Sequence, residues 1–302
     1  MELTRCNICH SDDVRIVYSL KDFSVSSEYF DLAGCKSCGF RFTLNPPSED
    51  SCGKYYKSQD YISHSDTSKG LIFSLYHFVR KIMLGKKSKF IKNLGASKSL
   101  LDFGSGTGYF LNFMKQEGYH VAGIELDEEA RLYGNTTFGL NVQSPDYIKN
   151  GQLSEKFGYI TLWHVLEHLY TPDQYLRIFH HLLDEDGYLV IAVPNFQSFD
   201  ANYYKSFWAA YDVPRHLWHF NPSTLKLMAD RSGFVLISKK LMPFDSFYNS
   251  MLSEKYKGNF LGLLRAGFIG FIALIKGIID VNEASSIIYV FKKKKIDDPS
   301  LK

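Results

Sequence analysis

A chain of 302 residues can hold one full α/β domain plus something smaller, and 45% hydrophobic against 22% charged residues excludes a disordered protein. A net charge of +3 lacks the strong basic field of a nucleic-acid surface. With 24 Phe and 20 Tyr, a sizeable core and an aromatic-lined pocket are both within reach.

In chain order, the opening MELTRCNICH has no apolar signal core, so a cytoplasmic location with reduced thiols is expected. Residues 1–60 are short and turn-rich, and hold the two pairs Cys6-x-x-Cys9 and Cys35-x-x-Cys38. Each pair can form a knuckle, and two knuckles supply the four thiolates of a tetrahedral zinc. Gly39 suits the tight turn after the second pair. A closed four-sulfur shell leaves no open position, so the metal is expected to be structural. Residues 1–58 carry seven Lys/Arg against eight Asp/Glu, which argues against an RNA grip.

The spacing predicts a connecting helix over 70–93 and, from Ser99, strands alternating with helices. Strands are expected at 99–103, 120–125, 159–164, 187–193, 234–241 and 286–292. Helices are expected at 109–117, from 127, at 172–183, and from the Asn221-Pro222 cap to Gly233. That alternation implies a largely parallel sheet covered on both faces. The organisation is thus a zinc-ribbon-like module (1–60), a helical linker (61–95), an α/β domain (96–295) with an apolar insertion at 244–284, and a tail (296–302).

The stretch LLDFGSGTGYFL, residues 100–111, turns a strand into a helix through Gly104, Gly106 and Gly108. Glycines let backbone approach a ligand closely. Glu125 closes the next strand, where a carboxylate can accept hydrogen bonds from ribose hydroxyls. Two details point away from NAD. Tyr109 stands at the third glycine position of the dinucleotide pattern, and Asp102 precedes the first glycine. That carboxylate suits the cationic amino group of a methionine moiety and would repel a pyrophosphate.

From about residue 99 to 241 the chain resembles the class I methyltransferase superfamily. The resemblance implies a Rossmann-like methyltransferase fold, with a mostly parallel seven-stranded sheet whose last strand is antiparallel. It also implies S-adenosylmethionine held by Asp102, Gly104, Gly106 and Glu125, with Ser105, Gly108, Leu126, Trp163 and His164 completing the contact set. The stretches ITLWHVLEHLYTP (160–172) and PNFQSFDANYYKSFWAAYDVPRHLWHFNPSTL (194–225) follow the fourth and fifth strands of that sheet, on its ligand-binding edge. They resemble sugar C-methyltransferases that also carry an amino-terminal four-cysteine zinc module. On that resemblance His168 and His216 are the active-site pair, with Tyr211 as a hydrogen-bonding partner, while His164 and His219 compete for the role of base. The two stretches also look like the WHVLEH and D-x-P-R-H-L-x-H-F segments of small-molecule methyltransferases, which usually carry Asp where Gly158 stands.

Residues 260–279 have the length of a membrane span, with Arg265 and Lys276 as their only charges. A final strand returning to the sheet argues against a single crossing. Three readings stay open for 258–280: a lid, a helix on a membrane surface, or a dimer contact. The expected function is methyl transfer to a small-molecule or glycan-linked acceptor. The rivals are a lipid-linked or quinone-like acceptor at the membrane surface and a non-catalytic cofactor-binding scaffold.

Overall fold

The computed structural model describes residues 5–56 and 71–294. The end of the cysteine-bearing segment from 57, the first part of the linker and the tail 296–302 lie outside the described residues.

Three antiparallel strands open the chain: β1 (Val14–Lys21), β2 (Tyr29–Cys35) and β3 (Arg41–Thr43). Helix α1 (Leu71–Lys92) leads to β4 (Ser99–Phe103), α2 (Tyr109–Gln116), β5 (His120–Ile124), α3 (Glu128–Phe138), β6 (Val142–Gln143) and α4 (Pro145–Lys149). Then come β7 (Phe157–Trp163), α5 (Pro172–Leu182), β8 (Leu183–Pro194), α6 (Phe199–Tyr204), β9 (Trp218–His219), α7 (Pro222–Arg231) and β10 (Phe234–Leu241). A helical hairpin, α8 (Asp245–Lys257) and α9 (Gly262–Ile279), precedes β11 (Ser286–Lys293).

The main sheet has seven strands in the order β10-β11-β8-β7-β4-β5-β6. The pairs among β8, β7, β4, β5 and β6 are parallel, and β11 runs antiparallel to both its neighbours. This is the Rossmann-like arrangement expected from the alternating pattern. Helices cover both faces, so β7 is buried almost along its whole length. On α5 the buried Tyr175, Leu176, Phe179 and Leu182 recur at helical spacing, and Phe103 packs edge-on against two of those rings. Helix α7 starts on Asn221, whose side chain accepts from the Thr224 amide in a capping box followed by Pro222. The chain order reverses direction across the sheet between β4 and β7, the switch point where ligands sit at the carboxyl ends of the strands.

The cysteine-bearing strands do not stand alone. Their sheet runs β1-β2-β3-β9, so its fourth strand comes from the segment between β8 and α7. Around that junction Phe40 stacks on Trp218, and Thr43 donates to the His216 carbonyl. Arg215 adds a buried clamp. Its guanidinium bonds Asp22 at 3.0 Å, Asp212 at 2.6 and 2.9 Å, and the Tyr55 carbonyl at 2.8 Å. Removing Asp22 leaves Arg215 with the Asp212 carboxylate alone and strands the Ser24, Val25 and Ser26 amides that the Asp22 carboxylate accepts from. An Asp22→Ala variant is therefore expected to lose about 3–5 kcal/mol of stability in urea unfolding. A loss below about 1 kcal/mol, the scale of exposed pairs, would show that the clamp does not hold the two sheets together.

Candidate active site

After β4 the backbone turns through three residues of positive φ, and two of them need glycine for different reasons. A Cβ at Gly104 (φ +78°) would meet Val165 Cγ2 at 2.3 Å, so Val165 closes the inner side of the turn. At Gly106 (φ +54°) a Cβ would meet nothing within 4 Å, which leaves the outer side open for a ligand. The Gly106 amide donates to Glu125 Oε2 at 2.7 Å, and Glu125 Oε1 accepts from the amides of Leu126 and Asp127 at 2.8 and 3.0 Å. Glu125 thereby pins the tip of β5 to the glycine turn. Leu126 beside it is exposed.

Asp102 lies behind the turn and accepts from Thr161 Oγ1 at 2.5 Å. Burial pushes its carboxyl up to about 7, against the Thr161 hydroxyl and the Lys87 ammonium, which favour the charged form. Lys87 comes from α1, and its ammonium sits 4.3 Å from the centre of the Trp163 ring. Burial lowers the Lys87 pKa, opposed by Asp102 and Asp245.

At the end of β7, His164 takes a left-handed backbone (φ +59°), a strained conformation for a non-glycine residue. Its Nε2 lies 3.0 Å from Asp245 at the start of α8, and its Nδ1 lies 3.4 Å from Glu167. Burial works against the charged imidazole, but the Asp245 and Glu167 carboxylates overcome it and raise the pKa to about 10. His164 is thus a cation at neutral pH, tying the insertion to the edge of the sheet.

The turn Leu166–His168 brings His168 against His216, with ring centres 4.6 Å apart and nearly perpendicular. His168 Nδ1 lies 3.0 Å from the Arg215 carbonyl, and His216 Nδ1 lies 2.9 Å from the Ala210 carbonyl. A carbonyl only accepts, so each Nδ1 carries a proton, and in the neutral ring each Nε2 keeps a free lone pair. Burial and then His216 lower the His168 pKa to about 4. Glu167, His168 and His216 present donor atoms within 4.8 Å of one another. Tyr211 stands apart from the pair: its hydroxyl accepts from Arg41 at 3.0 Å, while Tyr56 reaches His168 at 3.2 Å. His219 is engaged by Thr43 at 3.2 Å.

The methyltransferase-domain family profile matches residues 75–239, more than half of the chain. The chain belongs to the methyltransferase domain family. Its matched region spans β4 to β10, and the seven-stranded order is the class I fold of S-adenosylmethionine-dependent methyltransferases. A ubiquinone biosynthesis O-methyltransferase of Glaesserella parasuis serovar 5 (strain SH0165) is 32% identical over 108 residues, covering 32% of this chain and 46% of that protein. The chain thus matches about half of that relative's length. Among solved structures, magnesium protoporphyrin IX methyltransferase from Synechocystis PCC 6803, with S-adenosylhomocysteine bound, is similar with a TM-score of 0.52. Its identity is 11%, covering 82% of this chain and all of that one. An S-adenosylmethionine-dependent methyltransferase from Archaeoglobus fulgidus aligns with a TM-score of 0.48 at 20% identity, over 71% of this chain and 94% of that one. At 11% identity the likeness to the Synechocystis enzyme is one of fold.

The edge of this methyltransferase sheet fits the cofactor of its family. The open side of Gly106, the adjoining Glu125 and the exposed Leu126 line that edge together. Ser105 Oγ and Trp163 Nε1 are buried and without a hydrogen-bond partner among the described residues. Asp102, Glu125, Glu167 and Asp245 outnumber the cations Lys87 and His164 there, which suits a ligand carrying positive charge and opposes a pyrophosphate. Lys87, Thr161 and Asp245 were not singled out by sequence. Lys87 and Asp245 sit on the connecting helix and the insertion, and only folding brings them to the site.

The cysteines converge as well. Cys6 Sγ lies 3.5 Å from Cys38 Sγ, and Cys9 Sγ lies 3.4 Å from Cys35 Sγ. Sulfurs about 2.3 Å from a tetrahedral zinc would stand about 3.8 Å apart, so the four need only open slightly. The two knuckles repeat one geometry. The amides of His10 and Gly39 bond back to the carbonyls of Cys6 and Cys35, both at 2.9 Å, and both residues have positive φ. The cluster can bind a zinc ion.

The raised pKa of His164 makes a measurable claim. Its stabilising contribution is full below the ordinary histidine value of about 6.5 and is lost as pH rises through about 10. An Asp245→Asn variant removes the nearer anion, so imidazole NMR should place the His164 titration well below 10. An unchanged titration would mean that Asp245 does not hold the charge.

Proposed function

We propose that this methyltransferase moves the methyl group of S-adenosylmethionine to a hydroxyl of a small-molecule or glycan-linked acceptor, with His216 as the base. The observation that carries this reading is the imidazole pair of the half-buried His168 and the buried His216, each with Nδ1 on a backbone carbonyl and Nε2 without a hydrogen-bond partner among the described residues. The bound cofactor supplies an electrophilic methyl on a sulfonium. Asp102 receives its amino group, Glu125 and Gly106 its ribose, and Gly104, Ser105, Gly108, Leu126, Trp163 and His164 line the remainder. With the cofactor bound, His216 Nε2 would take the acceptor's hydroxyl proton as its oxygen displaces the sulfonium, adenosylhomocysteine being the leaving group, and would then release that proton to water. His168, neutral at working pH, orients the acceptor. Tyr211 acts at one remove, by holding Arg41 against this wall. The cysteine cluster carries a structural zinc that keeps β1–β3 in place behind the pair.

A second reading rests on the convergence of Glu167, His168 and His216. These three could hold a divalent cation that makes the acceptor hydroxyl more acidic, with the His Nδ1–carbonyl bonds as the usual outer support. Metal content separates the two. One ion per chain agrees with the base reading. A second ion that is lost in the His168→Ala variant agrees with the cation reading.

Against quinol and sugar acceptors, His216→Asn is expected to lower kcat about 10²–10⁴-fold while adenosylhomocysteine affinity holds. Parallel loss of both would remove His216 as the base. Asp102 gives an independent check on the cofactor end. Its carboxyl titrates near 7, and only the ionised form attracts an ammonium. Affinity for adenosylhomocysteine should therefore rise about tenfold from pH 6 to pH 8 in calorimetry, and the Asp102→Asn variant should lose that slope. Tight uptake of NAD(H) with no heat from adenosylhomocysteine would overturn the reading.

A further inference from the structure

Arg41 and Arg215 both stand in the wall that holds His216, and only Arg215 has carboxylates. It pairs with Asp22 and Asp212, and Asp212 turns both of its oxygens to it. Residues 205–217 contain no other acid. Asp200 on α6 is taken by Trp208 Nε1 at 2.8 Å and by the Ser285 hydroxyl at 2.7 Å. Arg41 on β3 is half-buried, yet it forms no ion pair among the described residues. Its contacts are with neutral groups. One terminal nitrogen donates to the Tyr211 hydroxyl at 3.0 Å, and the guanidinium carbon lies 4.3 Å from the centre of the Phe196 ring. His219, paired with Arg41 across β3 and β9, brings no charge either. Thr43 donates its proton to the His216 carbonyl and so accepts from His219 Nε2, while burial, then His216 and Arg41, keep that imidazole neutral.

A charge drawn partly out of water calls for a partner, and this guanidinium is oriented before any partner arrives. Its Nε and second terminal nitrogen form the side of the fork that meets a carboxylate or phosphate in two parallel bonds. Among the described residues that side donates to nothing. We propose that Arg41 receives an anionic group of the methyl acceptor, a carboxylate or a phosphate, on this open side. The Tyr211 ring lies 5.4 Å from the His219 ring, which lies 6.5 Å from that of His216. The anion therefore binds one imidazole away from the base, so the charge and the methylated hydroxyl belong to different parts of the acceptor.

Through Arg41 the cysteine-bearing sheet meets the acceptor directly, besides supporting His216 through Thr43. The assignment of the anion to the acceptor rests on the methyl-transfer reading above. Anion binding by Arg41 stands without it.

The test follows the Arg41 Nε–H resonance of the full chain, identified by its loss in Arg41→Gln, as benzoate, inorganic phosphate or neutral benzamide is added. A saturable shift is expected with the anions only. It should weaken about tenfold in Tyr211→Phe, which keeps the charge but removes the hydroxyl that orients it. A resonance that does not move, or that moves alike with benzamide, overturns the proposal. In methyl transfer, 3,4-dihydroxybenzoate should be used about 10–100-fold better in kcat/KM than its methyl ester. Arg41→Gln should remove that preference, and Arg41→Lys should restore part of it. An anion bound at Arg41 with no preference between acid and ester would mark a site for a free anion and overturn its assignment to the acceptor. Loss of adenosylhomocysteine affinity in Arg41→Gln would also overturn that assignment, giving Arg41 to the cofactor. Failure of the methyl-transfer reading would show separately, as anion binding at Arg41 by a chain that takes up no adenosylhomocysteine.

Discussion

The structure depends on how four carboxylates are kept at the carboxyl edge of one buried sheet. Asp102, Glu125, Glu167 and Asp245 all converge there, and burial opposes the charge on three of them. Each is answered differently. Glu125 accepts from three backbone amides, which also fixes the glycine turn. Glu167 and Asp245 share His164, held as a cation by both. Asp102 has only a hydroxyl and the field of Lys87, and its carboxyl is consequently the one pushed up to about 7. Of Asp102, Glu167 and Asp245 only Asp102 is pushed upward, and it precedes the glycine turn, where a cationic ligand would complete the balance.

The second sheet is better understood as a wall of this site than as an appendage. Strand β9 lies three residues after Arg215 and immediately follows Leu217, so pairing β3 with β9 sets the position of His216 directly. Thr43 then holds the His216 carbonyl and the His219 ring, and Tyr56 reaches His168 from the same side. The knuckle geometry around Cys6, Cys9, Cys35 and Cys38 determines where β3 begins, through the Cys35 amide bonded to the Phe40 carbonyl. The cysteine knuckles and the placement of the imidazole pair are therefore mechanically joined through β3 and β9.

Much of the main sheet was legible because its signals are local. The strand Ser99–Phe103 is apolar on both faces and ends in glycines, and Asn221-Pro222 announces a helix by cap chemistry alone. Strand β8 starts at Leu183, four residues earlier than its apolar run suggests, because Leu183 pairs with Phe157 ahead of a bulge. Strands β1–β3 were hidden by short turn-rich sequence, and β9 is two residues whose only reason to be extended is a partner some 170 positions away. Lys87 and Asp245 show the same limit at the site. A lysine on a connecting helix and an aspartate opening an insertion carry no local mark of function, and their roles come from long-range charge.

That limit explains why the insertion matters. The apolar face of α9 is visible in sequence as a hydrophobic run, but the sequence does not say which side faces the protein. Small residues decide it: Gly270 and Gly277 admit Phe247 and Ala284, so the bulky side chains have nowhere to go but outward. The hairpin is then fastened at its near end by the Asp245–His164 pair and at its far end by β11. The Asp245–His164 pair thus ties α8, and the hairpin with it, to the end of β7, where His164 holds its left-handed backbone.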